Sequence, residues 1–262
     1  MYDFNWRLYC PFTTRTQVPD PLAELFPWQS PYSFLGNNAV MNIDPDGRSH
    51  SKFDESGNYI ETVKDNWFHN TFFGRTGRIV DGDGNVIQKF RFADPKNDVN
   101  DLKAGNINRI HFVQESEIIS MLSKAGAFTK ENKTYNNSLR DRYSFIERES
   151  QSFGKFDFAV TGIPAQYYNL NVSETLFLIN GTAHNRFNFG NFLWGAGGRA
   201  LGLTQFELQA GAHRHSLGSP ERTGYDRRQF DSRDDQRSIR MGVRHANRRG
   251  YRNMFYRATV GH

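Results

Sequence analysis

The last third of the chain holds the residue types that cleavage of a phosphodiester requires. His184 and His213 can serve as general base or acid, and Asp231 or Asp235 can orient one of them. Arg240 can stabilise the charge that develops on the phosphate. Two histidines with an arginine would permit RNA cleavage without a metal ion, because the 2′-hydroxyl supplies the nucleophile. We therefore expect the catalytic group to be drawn from these residues.

Residues expected to bind the substrate lie among the catalytic candidates. Arginines recur there at steps of three and four residues, so that in a helix they share a face and can pair bidentately with phosphates. The row consists of Arg237, Arg240, Arg244 and Arg248. The other substrate-binding candidates are Asn188, Asn191, His215 and Gln236. The sequence leaves the metal and cofactor requirements unknown.

Each of these residues also has an ordinary structural explanation. His213 would lie on an apolar helix face, where a hydrogen-bonded core histidine is as reasonable as a catalytic one. Asp235 would lie in the first turn of a helix, where the helix dipole favours acids. The arginine row would equally suit a solvated helix face with local ion pairs. The sequence alone does not decide between these interpretations.

A glycine-rich stretch, Thr182–Gly202, is predicted to be a helix with two distinct faces. One is an ordinary core face of Phe189, Leu193, Ala196 and Ala200. The other consists of His184, Asn188, Asn191, Gly195, Gly198 and Gly202. Because glycine costs about 1 kcal/mol relative to alanine inside a helix, these glycines need a reason. Two reasons remain open: close packing against another backbone, or a ligand site whose wall is the glycine groove.

Two further helices are predicted after this stretch. Thr204 and Glu207 have the spacing of a capping box, which begins a helix that continues to about Ser216. Ser232 can cap the last helix and place Asp234 and Asp235 in its first turn. The residues of that helix expected to point inward are Ile239, Val243 and Ala246.

Strands are predicted before this helical end. Arg78–Val80 and Val86–Phe92 flank the acidic segment Asp81–Asn85, which is typical of a hairpin turn rather than a calcium loop. Other strands are predicted at Asn106–Val113, Phe153–Val160 and Thr175–Ile179, and a helix at Glu115–Ala125. The predicted fold class is therefore α+β, a small β-containing region followed by a helical C-terminal core. We divide the chain into residues 1–48, 49–155 and 156–262.

Charge and composition limit the kinds of protein that this chain can be. The 262 residues carry a net charge of +5, whereas Arg214–Arg257 alone has 12 arginines, no lysine and five acids. Such a basic end is typical of a phosphate-binding surface. The single cysteine, Cys10, excludes an internal disulfide and a multi-cysteine zinc site. No apolar run is long enough to span a membrane and no secretory signal peptide is evident, so export is expected to use another route.

Four motifs near the start resemble the end of an Rhs repeat-associated core. They are YDFNWRLYCP (Tyr2–Pro11), DPLAE (Asp20–Glu24), SPYSFLGNN (Ser30–Asn38) and IDPDGR (Ile43–Arg48). In Rhs proteins a shell of YD-repeat strands ends in a similar block, and a variable toxin follows directly. The resemblance implies that residues 1–48 are an Rhs core remnant, and that an Rhs shell or a secretion apparatus is a partner.

Three later blocks resemble the polymorphic toxin type 44 domain, within residues 156–250. They are HNRFNFGNFLWGAGGRALG (His184–Gly202), FELQAGAHRHS (Phe206–Ser216) and DSRDDQRSIRMGVRHA (Asp231–Ala246). The resemblance implies an antibacterial effector that reaches a target bacterial cell by type VI or a related secretion route, with a cognate immunity protein as partner. Its motif-borne polar positions are Asn188, Asn191, His213, Asp231, Asp235 and Gln236.

Three functions remain open at this point. A nuclease acting on RNA or DNA in the target cell best suits the histidines and arginines. A peptidoglycan hydrolase in the target periplasm is the alternative, with Glu207 or Asp235 as proton donor. The third is a non-enzymatic toxin that binds a partner; membrane insertion is not expected, since no amphipathic stretch is apolar enough.

Overall fold

The computed structural model describes residues 2–3, 8–10, 15–16, 50–63, 76–129, 139–218 and 232–254, with side chains left out before residue 50, at 139–140 and at 213–218. Two compact units are present, Met1–Ser49 with Lys64–Gly74 and His50–Val63 with Arg75–His262. Within the first unit, three short strands pair antiparallel: β1 (Tyr2–Asp3), β2 (Leu8–Cys10) and β3 (Arg15–Thr16). The other residues of the four Rhs-like motifs lie outside the described ranges.

A curled, mixed sheet organises the first part of the second unit. Its described strands are β4 (His50–Phe53), β5 (Tyr59–Val63), β6 (Thr76–Val80), β7 (Val86–Phe92), β8 (Arg109–Phe112), β9 (Thr175–Ile179) and β10 (Thr182–His184), in the order β5-β4-β6-β7-β10-β9-β8. The two edges approach each other, because Gly57 accepts a backbone hydrogen bond from Ile110 at 2.6 Å and Asn108 accepts one from Tyr59 at 2.8 Å. The sheet therefore curls around an interior filled with side chains.

Helices complete the second unit and confirm the α+β class. They are α1 (Pro95–Ala104), α2 (Glu115–Lys124), α3 (Leu139–Glu149), α4 (Ile163–Gln166), α5 (Arg186–Ala200), α6 (Gln205–Gly218) and α7 (Arg233–Arg248), with a π-helical turn at Phe158–Gly162 before α4 and a 3-10 turn at Tyr251–Asn253 after α7. Among the helices of the described residues, none combines the length and the apolar character needed to cross a bilayer.

Strand β9 separates the two hydrophobic cores of this unit. Its side chains alternate, and all are buried: Leu176 and Leu178 pack with the sheet interior, whereas Phe177 and Ile179 pack with the helices. Burial on both faces explains why its residues 176–179 are all apolar. The sheet-side core also includes Phe53, Phe90 and Leu102 of α1.

Local hydrogen bonds explain why several predicted elements form where the sequence places them. Asp81 Oδ1 accepts the backbone N–H groups of Asp83 and Asn85 at 3.0 and 2.7 Å, which forms the turn of the β6–β7 hairpin. Thr204 and Glu207 exchange hydrogen bonds at the start of α6, at 2.7 Å from the Thr204 N–H and 3.2 Å from the Glu207 N–H. The hairpin and both predicted C-terminal helix starts are therefore confirmed.

Of the two reasons that the sequence left open for the glycines of α5, close packing is the one that the structure shows, and at Gly195 the neighbour is the backbone of α7. A Cβ on Gly195 would overlap the Ile239 backbone, and one on Gly242 of α7 would overlap the Phe192 carbonyl oxygen. Two backbones approach where side chains are missing. The helix is also shorter than predicted, because Thr182–His184 forms β10 and Asn185 caps α5.

The strand predicted at Phe153–Val160 is also wrong. The segment is a turn leading into the π-helical residues Phe158–Gly162. Asp157 accepts the N–H of Phe153 on its carboxylate at 3.1 Å and that of Thr161 on its carbonyl at 2.9 Å. These local hydrogen bonds replace the ladder that a strand would need. The buried Phe156 and Phe158 have the alternating spacing of a strand, but both side chains pack in the core between the helices.

Candidate functional site

The N-termini of α5 and α7 bring several predicted polar residues together. The two helices run parallel, so both caps lie at the same end. Asn185 accepts the N–H of Asn188 at 3.0 Å, and Ser232 accepts the N–H of Asp235 at 3.2 Å. These local caps fix the residue at which each helix begins.

Side-chain hydrogen bonds cross between these two helix ends. Asn188 Nδ2 donates to Asp234 Oδ2 at 3.3 Å, and Asn191 Nδ2 donates to Asp235 Oδ1 at 2.6 Å. The Ser232 hydroxyl lies 2.8 Å from Asp234 Oδ1 and 2.6 Å from Asp235 Oδ2. The structure thus gathers Asn188, Asn191 and Asp235, and in this arrangement they join α5 to α7.

Three other predicted residues lie away from solvent or outside the described residues. His184 is fully buried and its Nδ1 lies 3.3 Å from the Ser238 hydroxyl; burial lowers the pKa of His184 to about 3, so the ring is neutral. Gln236 is also buried and donates to the Gln209 carbonyl of α6 at 3.4 Å. Asp231 lies outside the described residues. His184 and Gln236 are therefore core residues in this arrangement.

The predicted histidines of α6 cannot be assigned a role from the structure. His213 and His215 lie within Gln205–Gly218, where only the backbone is described. They remain predictions.

The predicted arginine row lies along the outer side of α7. Arg244 and Arg248 are exposed and Arg240 is half-buried, while Ile239 and Val243 on the other side are in the core. Within the described part of the chain, no carboxylate forms an ion pair with Arg240, Arg244 or Arg248. At the start of the row, Arg237 donates to the Ala93 carbonyl at 3.3 Å. We call Arg240, Arg244 and Arg248 the arginine face.

A pocket that the sequence did not indicate opens beside the C-terminal end of α7. It has a volume of about 320 Å³ and lies between the start of α2, the β9–β10 turn and α7. Apolar residues of β8 and β9, such as Phe112 and Leu178, form part of its wall. The polar residues that line it include Gln114, Glu115, Asn180, His245 and Arg249.

A hydrogen-bonded network forms the polar wall of this pocket. Asn180 Nδ2 donates to His245 Nδ1 at 2.9 Å, which leaves the ring proton of a neutral His245 on Nε2. That Nε2 lies 3.1 Å from Glu115 Oε2 and 3.1 Å from Tyr251 Oη. The Tyr251 hydroxyl donates to Glu115 Oε1, and Arg249 Nε lies 3.3 Å from Glu115 Oε2. Glu115 is therefore the point on which the network converges.

Burial determines the charges in this network. It lowers the pKa of His245, against the opposing effect of the Glu115 carboxylate, and it raises the pKa of Tyr251. Both groups are therefore neutral at pH 7. Since His245 is 3% exposed and the Glu115 side chain 30% exposed, the carboxylate is the more accessible of the two. Glu115 and Arg249 form the charged pair at the opening.

The β9–β10 turn positions Asn180 for this role. Asn180 and Gly181 both have positive φ, 49° and 72°, and join Ile179 to its partner Thr182 as a two-residue hairpin. Asparagine tolerates the left-handed conformation better than most residues. The Asn-Gly pair is a sequence pattern that predicts a hairpin, and His245 lies in the block that resembles the type 44 domain. The spacing along the chain did not indicate that either residue lies near Glu115.

A buried carboxyl group lies near the start of α5. Asp98 of α1 accepts from Asn185 Nδ2 at 2.9 Å and from the Asp94 N–H at 3.2 Å. Burial raises the pKa of Asp98 to about 7, although the hydrogen bond from Asn185 acts in the opposite direction. Because it is fully buried, this group affects stability rather than a bound substrate.

Comparison with known proteins identified no matching family model, no similar curated protein and no similar solved structure.

Proposed function

We propose that this chain is an antibacterial effector toxin of the Rhs-associated kind and that its C-terminal part is a nuclease. The resemblances to an Rhs core end and to the type 44 toxin domain support the toxin identity. They also support delivery into a target bacterium, with a cognate immunity protein that protects the producer. The proposal makes RNA or DNA in the target cell the substrate.

The arginine face is the observation that carries the nuclease proposal. From Arg240 to Arg248 the face spans eight helical rises, or roughly 12 Å. One strand of a duplex places a phosphate about every 3.4 Å along the axis, so the face can follow about four phosphates. Because the other side of α7 is buried against α5, the guanidinium groups extend from a rigid support. A rigid cationic row with no partner carboxylate among the described residues suits a polyanion.

The carboxylates favour this function over a wall hydrolase. A glycosidase needs a carboxylic acid whose apolar surroundings keep it protonated. Glu207 is instead a half-buried capping residue that accepts from Thr204, and Asp235 accepts from Asn191 at 2.6 Å. Neither group has the environment of a proton donor.

Binding to nucleic acid tests the arginine face directly. We expect the triple variant Arg240→Gln, Arg244→Gln, Arg248→Gln to bind single-stranded RNA and DNA more weakly. The slope of log K against log salt should fall by about 2–3, since each lost phosphate contact removes about 0.7–0.9. The matched control removes three exposed charges elsewhere, Lys89→Gln, Lys103→Gln and Lys155→Gln. If both variants keep the parental salt slope, the arginine face does not bind nucleic acid.

Expression in a sensitive bacterium tests the nuclease itself. The full chain is expressed once in the cytoplasm and once with a periplasmic signal, and total RNA and DNA are extracted. The proposal expects cytoplasmic killing with degraded nucleic acid. Killing only from the periplasm, with cell rounding and intact nucleic acid, would refute it.

A further inference from the structure

We propose that the pocket at Glu115 and His245 is a ribonuclease active site, in which the Glu115 carboxylate is the general base and Arg249 binds the reacting phosphate. This inference rests on the proposed nuclease function and specifies its substrate as RNA. It assigns the chemistry to residues outside the predicted group around His184.

Glu115 has the geometry of a base held in position. A carboxylate offers about four lone-pair sites. The Tyr251 hydroxyl donates to Oε1, while Nε2 of His245 and Nε of Arg249 lie 3.1 and 3.3 Å from Oε2. The second lone-pair site of Oε1 has no donor among the described residues and can accept a substrate proton, and the side chain is 30% exposed beside the pocket. A side chain fixed by several donors loses little freedom when a substrate binds.

Arg249 has the position required of the cation. It lines the pocket, its side chain is 57% exposed, and its Nε lies 3.3 Å from Glu115 Oε2. Its terminal nitrogens can therefore reach non-bridging phosphate oxygens while Nε keeps the carboxylate in place. Arg248, the last residue of α7, immediately precedes Arg249, so an RNA strand that lies along the arginine face can continue into the pocket.

The reaction that these groups support needs no other reactant than RNA. Glu115 removes the proton of a 2′-hydroxyl, O2′ forms a bond to phosphorus, and the bond from phosphorus to O5′ breaks. The leaving O5′ takes a proton from water, and Glu115 gives its proton back to the solvent. The products are a 2′,3′-cyclic phosphate and a 5′-hydroxyl end.

His245, Tyr251 and Asn180 are positioning residues in this scheme. Asn180 sets the tautomer of His245, which then donates to Glu115. Tyr251 donates to the other carboxylate oxygen. Removing one donor lets the carboxylate leave the position that the reaction requires. Tyr251→Phe should therefore lower kcat with little change in KM.

A DNA oligonucleotide with one internal ribonucleotide tests the substrate with the unaltered full-length chain. We expect cleavage only at the ribonucleotide, with a 2′,3′-cyclic phosphate end. Cleavage of all-DNA strands at the same rate, or products with 3′-hydroxyl ends, would overturn the 2′-hydroxyl step and leave the nuclease function standing. Absence of any cleavage of RNA and DNA would refute the nuclease function, and this inference with it.

Variants then test the residues. Glu115→Gln should lower kcat about 10²–10⁴-fold, the usual contribution of a general base, while RNA binding is kept. Glu55→Gln is the control, because Glu55 is exposed and distant from Glu115 in the sequence, and this variant should cleave at the parental rate. A folded Glu115→Gln protein with full activity would exclude Glu115 as the base. If this variant does not fold, the kcat and KM of Tyr251→Phe decide, because an unchanged kcat contradicts the scheme.

Discussion

Replacing Gly242 with alanine should weaken the contact between α5 and α7, on which both the arginine face and the polar helix ends depend. A Cβ at position 242 would overlap the Phe192 carbonyl oxygen and come within 2.9 Å of the Ala196 nitrogen. These are backbone atoms inside a helix, so they cannot turn aside as a side chain would. The two helices must therefore separate to admit one methyl group.

The size of the effect follows from two opposing contributions. Overpacking a well-packed core costs about 1–3 kcal/mol, and a clash with rigid backbone belongs at the upper end of that range. Alanine in place of glycine returns about 1 kcal/mol of helix propensity. The net loss is about 2 kcal/mol in the free energy of unfolding, which corresponds to a fall in Tm of about 4–8 °C for a unit of this size.

Gly211 of α6 provides the matched control. It is also a helical glycine, but its added Cβ would approach only side chains, with the Tyr143 hydroxyl at 3.2 Å and the Trp194 ring at 3.7 Å. Gly211→Ala should therefore leave Tm unchanged or raise it slightly. Thermal and urea unfolding followed by circular dichroism measure both variants. If Gly242→Ala unfolds at the same temperature as Gly211→Ala, close backbone packing is not the reason for the glycine at 242.

Two further predictions concern buried polar groups. Because Asp98 has a pKa of about 7 in the folded chain and 3.8 as its ordinary value, the folded state holds the proton more tightly. Its contribution to the free energy of unfolding is full below pH 3.8 and is lost as the pH rises through 7, by at most about 4 kcal/mol. Urea unfolding at pH 4–8 should show this fall. An Asp98→Asn variant whose free energy of unfolding depends on pH in the same way would contradict the assignment. For Asn180, Asn180→Gly keeps the positive φ and removes only the amide donor to His245, which should cost about 1 kcal/mol. Asn180→Ala should cost about 1 kcal/mol more, because it adds the strain of a left-handed alanine; equal Tm values for the two variants would show that the turn is not strained.

Some residues of the candidate site could be located from the sequence, because their spacing along one helix determines the side on which they lie. The period of the arginine row placed Arg240, Arg244 and Arg248 on one helix side, as the structure shows. The same spacing could not show which residues are buried. His184 has the type of a catalytic residue, yet it lies in the core, because β10 ends there between the sheet and α7.

The elements that the sequence determined by itself are those whose hydrogen bonds close within a few residues. Asp81 forms its turn with Asn85, Thr204 pairs with Glu207, and Ser232 caps α7 through Asp235. Each of these interactions joins residues within one turn and needs no tertiary contact, so a local pattern is enough to predict it.

The pocket was decided only by the tertiary structure. Glu115 and Tyr251 are 136 residues apart, and the hydrogen bond between them exists only because α2, the β9–β10 turn and the end of α7 pack at one place. The glycines of α5 have the same dependence, since a glycine beside a ligand and a glycine beside another helix look alike in sequence. What lies opposite a residue is a property of packing, and no spacing along the chain encodes it.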